Sequence, residues 1–416
     1  ERHPVLATRS YSSMSSGRKR DRWDSSSDEE GEGGGYAYGG AIGGISGETK
    51  RTNTCSAPPE QQPSTTCTSA DTGDAAVDLT HSQSAPSAVR KYNPLLQGCR
   101  SVYSSYDRIA RLDEGTYGIV WKAKDTSSDE IVALKQIKFD ETLTKEGFPI
   151  AALREISVLL DLSHECIVTV REMVVGDNAN QVFMVMEFMQ MDLKDAIERS
   201  GQSPFPQSEL KNMMHQILSA IAHCHAKWYL HRDMKTSNIL VHKSGKIALC
   251  DFGLARKYQT PLKAMTQMVI TLWYRPPELL YGESVYGPAV DMWSVGCIFG
   301  ELLKKKALVE GQGELDQINK IIALVGAPTE TNWPDFQSLP NAKMFRWRSK
   351  GPPTLSTTFP VNTFTGGQTY LDPNGFDLLG KLLTLDPKQR ISGEDALKHP
   401  YFTEGVERQV PRFIFD

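Results

Sequence analysis

The stretch His231–Gly253, HRDMKTSNILVHKSGKIALCDFG, decides how the whole chain is interpreted. It begins with the tripeptide His-Arg-Asp and ends with Asp-Phe-Gly, in this order and close together. Either tripeptide alone could arise by chance, or could supply ordinary helix caps and turn residues. The ordered pair, by contrast, favours a site that handles phosphate groups.

Four side chains in this stretch have the chemistry of phosphate transfer. Asp233 can accept and orient a substrate hydroxyl, and Lys235 can offset charge that develops on the transferred phosphate. Asn238 and Asp251 offer the hard oxygen ligands that Mg²⁺ prefers. The stretch therefore predicts ATP as the phosphate donor and Mg²⁺ as the accompanying metal ion.

Two features upstream fit the same site. The turn Asp113–Val120 carries Gly115 and Gly118, which let a backbone approach phosphates closely, although glycine in a hairpin often serves the turn alone. Lys135 ends an apolar run and Glu155 lies on a helical stretch, so the carboxylate could orient a lysine that holds phosphates. An ordinary surface ion pair is the alternative for these two residues.

The composition indicates a globular chain without disulfides or membrane spans. Its 416 residues are 39% hydrophobic, which is enough for one large or two ordinary domains. The seven cysteines contain no C-x-x-C pair, and no run of about 20 apolar residues occurs. A net charge of −4 gives no overall attraction to nucleic acid. We therefore expect a soluble intracellular protein that contacts neither membranes nor, directly, nucleic acid.

Hydrophobic periodicity divides the chain into segments. Residues 1–98 are rich in Ser, Thr, Gly and Pro and predict a disordered low-complexity arm. Residues 103–188 contain short strand patterns, residues 189–402 contain longer amphipathic helices, and residues 403–416 form a tail. The prediction is an α+β fold, with a small antiparallel β lobe that includes one key helix and a larger helical lobe.

Two short charged motifs lie in the arm. The basic cluster Arg18–Arg22 resembles a nuclear address, and the run Ser25–Glu30 resembles a phosphoacceptor. Both could also be solvated charge in a disordered segment. We expect the protein in the nucleus, with or without a cytoplasmic pool.

Residues 103–402 resemble the eukaryotic protein kinase domain, and the lysine after His-Arg-Asp is similar to the Ser/Thr class. Pro149–Glu155, PIAALRE, resembles the signature helix of cyclin-dependent kinases in its PITSLRE variant. Further stretches similar to that subfamily are Gly98–Val102, Ile167–Glu172, Lys235–Asn238, Pro261–Lys263 and Asp291–Leu303. The resemblance implies a bilobed fold, Ser/Thr kinase activity, activation by a cyclin, with an L-type cyclin suspected, and nuclear substrates in transcription, splicing or the cell cycle.

The resemblance also implies individual roles. The positions matching the family's nucleotide contacts are Leu112, Gly115, Gly118, Val120, Ala133, Lys135, Glu187, Met189, Asp192, Asn238, Leu240 and Asp251. Those matching its catalytic positions are Asp233, Lys235, Lys135, Glu155 and Thr271. Glu278 and Arg390 match a structural ion pair, and Asp291 matches a residue that braces the catalytic backbone.

The sequence departs from the family's pattern at several of these places. Asp113 stands at a glycine position, Ala151 and Ala152 replace Thr and Ser of the signature helix, and Pro276 replaces alanine of Ala-Pro-Glu.

Regulation is predicted from the same resemblance. Thr266 occupies the activating position, where a phosphate would meet Arg154, Arg232 and Arg256. A plain exposed loop threonine is the alternative. Thr116 and Tyr117, in the glycine turn, resemble inhibitory phosphosites but are equally compatible with ordinary strand and turn residues.

Substrate choice is predicted at Ile270, where this family holds a strained backbone whose neighbouring carbonyl disfavours an incoming N–H group. Because proline lacks that hydrogen, we expect Ser-Pro and Thr-Pro targets. The rival functions are a catalytically silent scaffold that binds cyclin or splicing partners, and a kinase of the same group that needs no cyclin.

Overall fold

The computed structural model describes residues 98–115, 118–138, 149–177, 181–201, 203–344, 351–361 and 371–415. Apart from Gly98, the predicted arm lies outside these residues. No described helix is both long and apolar enough to cross a membrane.

The N-terminal part of the described chain is a six-stranded sheet. Its strands are β1 (Arg100–Ser101), β2 (Tyr106–Gly115), β3 (Gly118–Asp125), β4 (Ile131–Ile137), β5 (Val170–Val175) and β6 (Val182–Glu187). They lie in the order β1-β5-β6-β4-β3-β2, and every neighbouring pair is antiparallel except β1 and β5. Strand β4 buries the consecutive residues Val132, Ala133 and Leu134, which matches its inner position in the sheet, where both faces can be covered.

The sheet begins before the first long hairpin. Strand β1 pairs Arg100 with Val174, and the short helix α1 (Val102–Ser105) buries Val102 completely. The guanidinium of Arg100 donates to Glu172 at 2.8 Å and to the Tyr106 hydroxyl at 3.0 Å. These contacts tie the segment ahead of β2 to the far edge of the sheet.

One helix packs against this sheet. Helix α2 (Ile150–Asp161) begins after Pro149, whose fixed φ suits a helix start. Its inner face buries Glu155, Val158 and Leu159, whereas its outer face leaves apolar side chains in solvent. The helix therefore has apolar side chains on both its buried and its exposed face.

The C-terminal part is mainly helical. Its helices are α3 (Leu193–Arg199), α4 (Gln207–Ala226), α5 (Pro277–Leu280), α6 (Ala289–Lys304), α7 (Glu314–Val325), α8 (Leu355–Thr358), α9 (Pro373–Leu382), α10 (Gly393–Leu397) and α11 (Pro400–Thr403). Short strands β7 (Met191–Asp192), β9 (Ile239–Val241) and β10 (Ile247–Leu249) form one sheet, and β8 (Tyr229–Leu230) pairs with β11 (Arg256–Lys257). The predicted α+β fold, with a β-rich lobe followed by a helical lobe, is confirmed.

Two long helices form the centre of the helical lobe. Helix α4 buries Met213, Met214, Ile217, Leu218 and Ile221, the residues whose helical spacing the sequence displays. Helix α6 is buried from its first turn to its last, and its buried residues include the polar side chains of Asp291, Ser294 and Glu301 as well as apolar ones. The loops that carry the candidate site are anchored on these two helices.

Candidate active site

The loop that carries Asp233 is held by a buried carboxylate. Asp291, on α6, is fully buried and accepts hydrogen bonds from the backbone N–H groups of His231 and Arg232, both at 2.9 Å. Burial raises the pKa of Asp291, but the hydrogen bond and charge of His225 together with these donors outweigh it, so the pKa lies below its usual range. The predicted bracing of the catalytic backbone by Asp291 is confirmed.

Asp233 lies at the centre of a hydrogen-bonded group. Its Oδ2 accepts from Lys235 Nζ at 2.8 Å and from Asn238 Nδ2 at 3.0 Å, while its Oδ1 accepts from Thr271 Oγ1 at 3.0 Å. Burial raises the pKa of Asp233, but Lys235, His231 and Thr271 together lower it more, and the net shift is downward. The carboxylate is thus ionised and fixed in orientation, which suits a group that accepts a proton.

Asn238 and Asp251 have donor atoms that fit a magnesium ion. The Asn238 amide nitrogen donates to Asp233 at its backbone oxygen (2.8 Å) as well as its carboxylate, which leaves the amide oxygen as the atom to face a cation. Asp251 has a left-handed backbone, with φ of 59°, and Phe252 beside it packs on the His231 ring at 4.7 Å. A carboxylate and an amide oxygen suit Mg²⁺, which usually takes few protein ligands and completes its shell with phosphates and water.

The predicted pair of Lys135 and Glu155 is formed. Lys135 Nζ, on β4, lies 2.7 Å from Glu155 Oε1, on α2, and both side chains are nearly buried. Burial lowers the pKa of Lys135, but attraction to Glu155 and Asp251 raises it by more, so the net shift is upward and the amine stays charged. The surface ion pair that was the alternative does not describe this buried contact. Because the charge of Asp251 contributes to the raised pKa of Lys135, the amine lies near Asp251, the candidate metal ligand.

The predicted nucleotide contacts lie on strands β2, β3, β4, β6, β7 and β9 and in the segments beside them. Val120 is opposite Lys135, Ala133 is opposite Met186, and Leu240 is opposite Asp192 in the strand registers. Each register brings a predicted contact beside another strand of its own sheet.

Other members of the predicted nucleotide set have structural contacts of their own. Leu112 lies at a β-bulge in β2 and is exposed. Met189 is buried, Glu187 pairs with Lys246 at 2.6 Å, and Asp192 caps α3 by accepting from Asp195 N at 2.8 Å. Burial raises the pKa of Asp192. Their roles toward a nucleotide remain predictions.

Gly115 and Gly118 face each other where β2 meets β3. A Cβ on Gly118 would lie 2.0 Å from the Gln136 carbonyl oxygen, so packing against β4 alone requires glycine there. Thr116 and Tyr117, between the two glycines, lie outside the described residues.

Thr266 is exposed, and its surroundings are basic. Burial and the charges of Arg256 and Arg232 lower the pKa of Arg154, which indicates that the three guanidinium groups lie close enough to repel. Arg232 donates to the Leu254 carbonyl at 2.7 and 2.9 Å. In the described part of the chain, neither Arg154 nor Arg256 has an ion-pair partner.

The backbone expected at Ile270 is present, with φ of 67° in the left-handed region that β-branched residues avoid. The Arg275 guanidinium donates to the Ile270 carbonyl at 3.1 and 3.2 Å and is itself paired with Glu314 at 2.7 Å. The predicted strain is therefore confirmed, and Arg275 holds it in place.

Sequence reasoning missed two residues that organise this segment. Arg275 fixes the Ile270 carbonyl, and Tyr286 links Arg232, at 3.0 Å, to the Thr266 carbonyl, at 2.6 Å. No short motif joins either residue to its partners, and only its place in the same segment could have drawn attention to Arg275. The predicted ion pair of Glu278 with Arg390 is confirmed at 2.7 and 2.9 Å, fully buried.

Comparison with known proteins agrees with this geometry. The protein kinase domain family matches residues 106–402. Cyclin-dependent kinase G1 of Arabidopsis thaliana is 50% identical over 313 residues, which cover 74% of this chain and 50% of that protein. Cyclin-dependent kinase 11B of Rattus norvegicus is 48% identical over 314 residues, which cover 76% of this chain and 69% of that protein.

The human cyclin-dependent kinase 11B is 49% identical over 314 residues, which cover 76% of this chain and only 38% of that protein. The chain thus spans about half or less of the length of its plant and human relatives.

Proposed function

Because the chain belongs to the protein kinase family, and within it to the cyclin-dependent kinases of the PITSLRE type, we propose that it transfers the γ-phosphate of ATP to serine and threonine hydroxyls of proteins. The observation that carries the proposal is the ionised Asp233 carboxylate, fixed between Lys235 and Thr271. A kinase needs such a group to orient the attacking hydroxyl.

The described side chains divide the work of transfer. Asp233 accepts a hydrogen bond from the incoming hydroxyl and takes its proton as the new P–O bond forms and the bond to ADP breaks. Lys235, 2.8 Å from Asp233, places a positive charge beside the transferred phosphate. Lys135, oriented by Glu155, binds the α- and β-phosphates. Asn238 and Asp251 would hold Mg²⁺, which when bound neutralises charge on the phosphates.

Ser-Pro and Thr-Pro sites are the proposed substrates. Ile270 keeps a left-handed backbone although a β-branched residue there is strained, and the Arg275 guanidinium binds its carbonyl oxygen. With that oxygen occupied, the N–H of a residue after the phosphoacceptor lacks an acceptor, and proline has no N–H to satisfy.

A cyclin is the proposed activating partner, and an L-type cyclin is the first candidate. The outer face of α2 exposes the apolar side chains of Ile150 (72%), Leu153 (49%) and Leu160 (67%). An exposed apolar row of this kind is typical of a surface that binds another protein. A partner that covers this row would hold α2 against the sheet and keep Glu155 on Lys135. The relatives that carry the name cyclin-dependent kinase support this choice.

Phosphorylation of Thr266 is proposed as the second activating event. The phosphate would add negative charge beside Arg154, Arg232 and Arg256, whose positive charges repel. It would thus join α2, the catalytic loop (His231–Asn238) and the activation segment (Ala264–Arg275). Thr116 and Tyr117 are proposed as inhibitory sites by resemblance alone.

A nuclear location, and substrates in transcription, splicing or the cell cycle, are proposed from the basic cluster Arg18–Arg22 and from the resemblance. These proposals do not depend on the described residues.

The test compares phosphate transfer to paired peptides that differ only in Ser-Pro against Ser-Ala, with and without an L-type cyclin. We expect cyclin-stimulated transfer with a clear preference for Ser-Pro. Equal labelling of the two peptides would refute the proline preference, and a rate unchanged by any cyclin would refute cyclin dependence. No transfer despite Mg-ATP binding would favour the silent scaffold.

A further inference from the structure

A buried carboxylate contacts the loop of the candidate active site at Thr236, the residue after Lys235. Glu301, on α6, accepts hydrogen bonds from Thr236 Oγ1 at 3.0 Å and from the Tyr274 hydroxyl at 2.7 Å. The two hydroxyls are also 3.2 Å from each other. The exposed fractions are 1% for Thr236, 5% for Glu301 and 6% for Tyr274, so water does not compete for these bonds.

The hydroxyls are what satisfies this carboxylate. Burial raises the pKa of Glu301, and the hydrogen bonds from Tyr274 and Thr236 oppose that rise. In the described part of the chain, Glu301 forms no ion pair with a lysine or arginine. Removing one hydroxyl would therefore leave a buried carboxylate oxygen without its donor, a change that is costly wherever solvent cannot replace it.

The two hydroxyls come from two different segments of the candidate site. Thr236 directly follows Lys235 and begins the 3₁₀ turn Thr236–Asn238, which belongs to the catalytic loop. Tyr274 ends the 3₁₀ turn Leu272–Tyr274, which follows Thr271 in the activation segment. The two segments are joined twice, by the hydrogen bond of Thr271 with Asp233 and by the hydrogen bonds of Thr236 and Tyr274 to Glu301.

Helix α6 also holds each of these segments by its backbone. Ser294 Oγ donates to the Tyr274 carbonyl at 2.8 Å, and Asp291 binds the N–H groups of the catalytic loop. One buried helix thus holds both the loop that carries Asp233 and the segment that carries Thr271.

We propose that Thr236, Tyr274 and Glu301 are positioning residues that set the distance between the Asp233 carboxylate and the segment that receives the substrate. The inference rests on the proposed kinase function. Loss of a hydrogen bond to Glu301 should therefore slow the transfer step. ATP binding, which is predicted to use Lys135 and the segment Glu187–Asp192, should be unaffected.

The experiment compares Thr236→Val, which keeps the shape but removes the hydroxyl, with Thr236→Ser, which keeps the donor. For each variant, kcat and the KM for ATP are measured on a Ser-Pro peptide with the cyclin bound, together with the melting temperature. We expect Thr236→Val to lower kcat by about tenfold with the KM for ATP unchanged, and Thr236→Ser to restore most of the rate.

Tyr274→Phe supplies an independent variant if Thr236→Val folds poorly. Because both hydroxyls act on one carboxylate, the double variant should lose less than the product of the two single losses.

The outcomes separate this inference from the proposed function. A Thr236→Val enzyme with normal kcat, or a Thr236→Ser enzyme as slow as Thr236→Val, would overturn the positioning role while leaving the kinase assignment intact. Independent losses that multiply in the double variant would also overturn it. Failure of the unmodified chain to transfer phosphate, although it binds Mg-ATP, would overturn the proposed function and this inference with it.

Discussion

The catalytic loop and the arginine cluster near Thr266 treat their charges in opposite ways. Asp233 in the loop and Asp291, which holds the loop from α6, are both buried, and each is surrounded by donors that lower its pKa. In the cluster, Arg154 is beside two other cations, and together with burial these lower its pKa. The first region is complete by itself, whereas the second requires an anion.

Chemistry and control are thus assigned to different groups in this fold. Groups that act on phosphate are fixed by bonds within the chain, so their geometry needs no modification to form. Arg154, Arg232 and Arg256, which would bind a phosphate on Thr266, keep positive charge that such a phosphate could neutralise.

The largest effect is expected from Asp233→Asn, which keeps the shape of the side chain but removes the proton acceptor. Phosphate transfer should fall by about a thousandfold, the usual range for loss of a general base. Mg-ATP affinity, measured by calorimetry, should stay within a factor of two or so, because Asn238 and Asp251 remain. A variant with more than a tenth of the normal rate would show that Asp233 is not the acceptor.

Glu278→Gln should produce the largest loss of stability among single ion-pair changes. It leaves Arg390 charged and fully buried without its partner, which costs about 3 kcal/mol of unfolding free energy. Denaturant unfolding measures the loss. Asp335→Asn, which breaks the exposed pair with Lys388, is the matched control and should change little. Equal effects of the two variants would contradict the distinction between buried and exposed pairs.

Thr266→Ala tests the incomplete region. If phospho-Thr266 contributes charge-assisted hydrogen bonds to the arginines worth about 2 kcal/mol, its loss should slow cyclin-bound transfer by about thirtyfold. Thr331→Ala, at another exposed threonine, is the control. Unchanged activity of Thr266→Ala after incubation with an activating kinase would show that the cluster has another purpose.

Lys235→Met should shift a pH profile rather than only a rate. Lys235 lowers the pKa of Asp233, so its removal lets burial raise that pKa. Asp233 acts in its ionised form. As the pH is lowered, the variant should therefore begin to lose activity at a higher pH than the unmodified protein. The acidic limb of kcat/KM against pH measures this, and a limb at the same pH in both proteins would refute the coupling.

Local motifs predicted much of the site, and long-range packing explains what they missed. Asp233, Asn238 and Asp251 lie within one short stretch, and the type of residue alone suggested a partner for Lys135. By contrast, Thr236 and Glu301 are 65 residues apart, and no periodicity brings a hydroxyl of the loop to a carboxylate of α6.

The fold shows the same division. The change from strand to helix patterns predicted the two lobes, because periodicity records which faces are buried. The pairing of Arg100 with Val174 was not predicted, since a strand of only two residues carries no periodic signal and its partner lies far along the chain.

The most direct test of the account is transfer of labelled γ-phosphate from Mg-ATP to a Ser-Pro peptide by the cyclin-bound chain, with Thr266 either phosphorylated or not. A preformed catalytic loop predicts nearly equal Mg-ATP affinity in both states, much faster transfer in the phosphorylated state, and transfer slowed about a thousandfold by Asp233→Asn. Mg-ATP binding without transfer in the phosphorylated, cyclin-bound protein would contradict it.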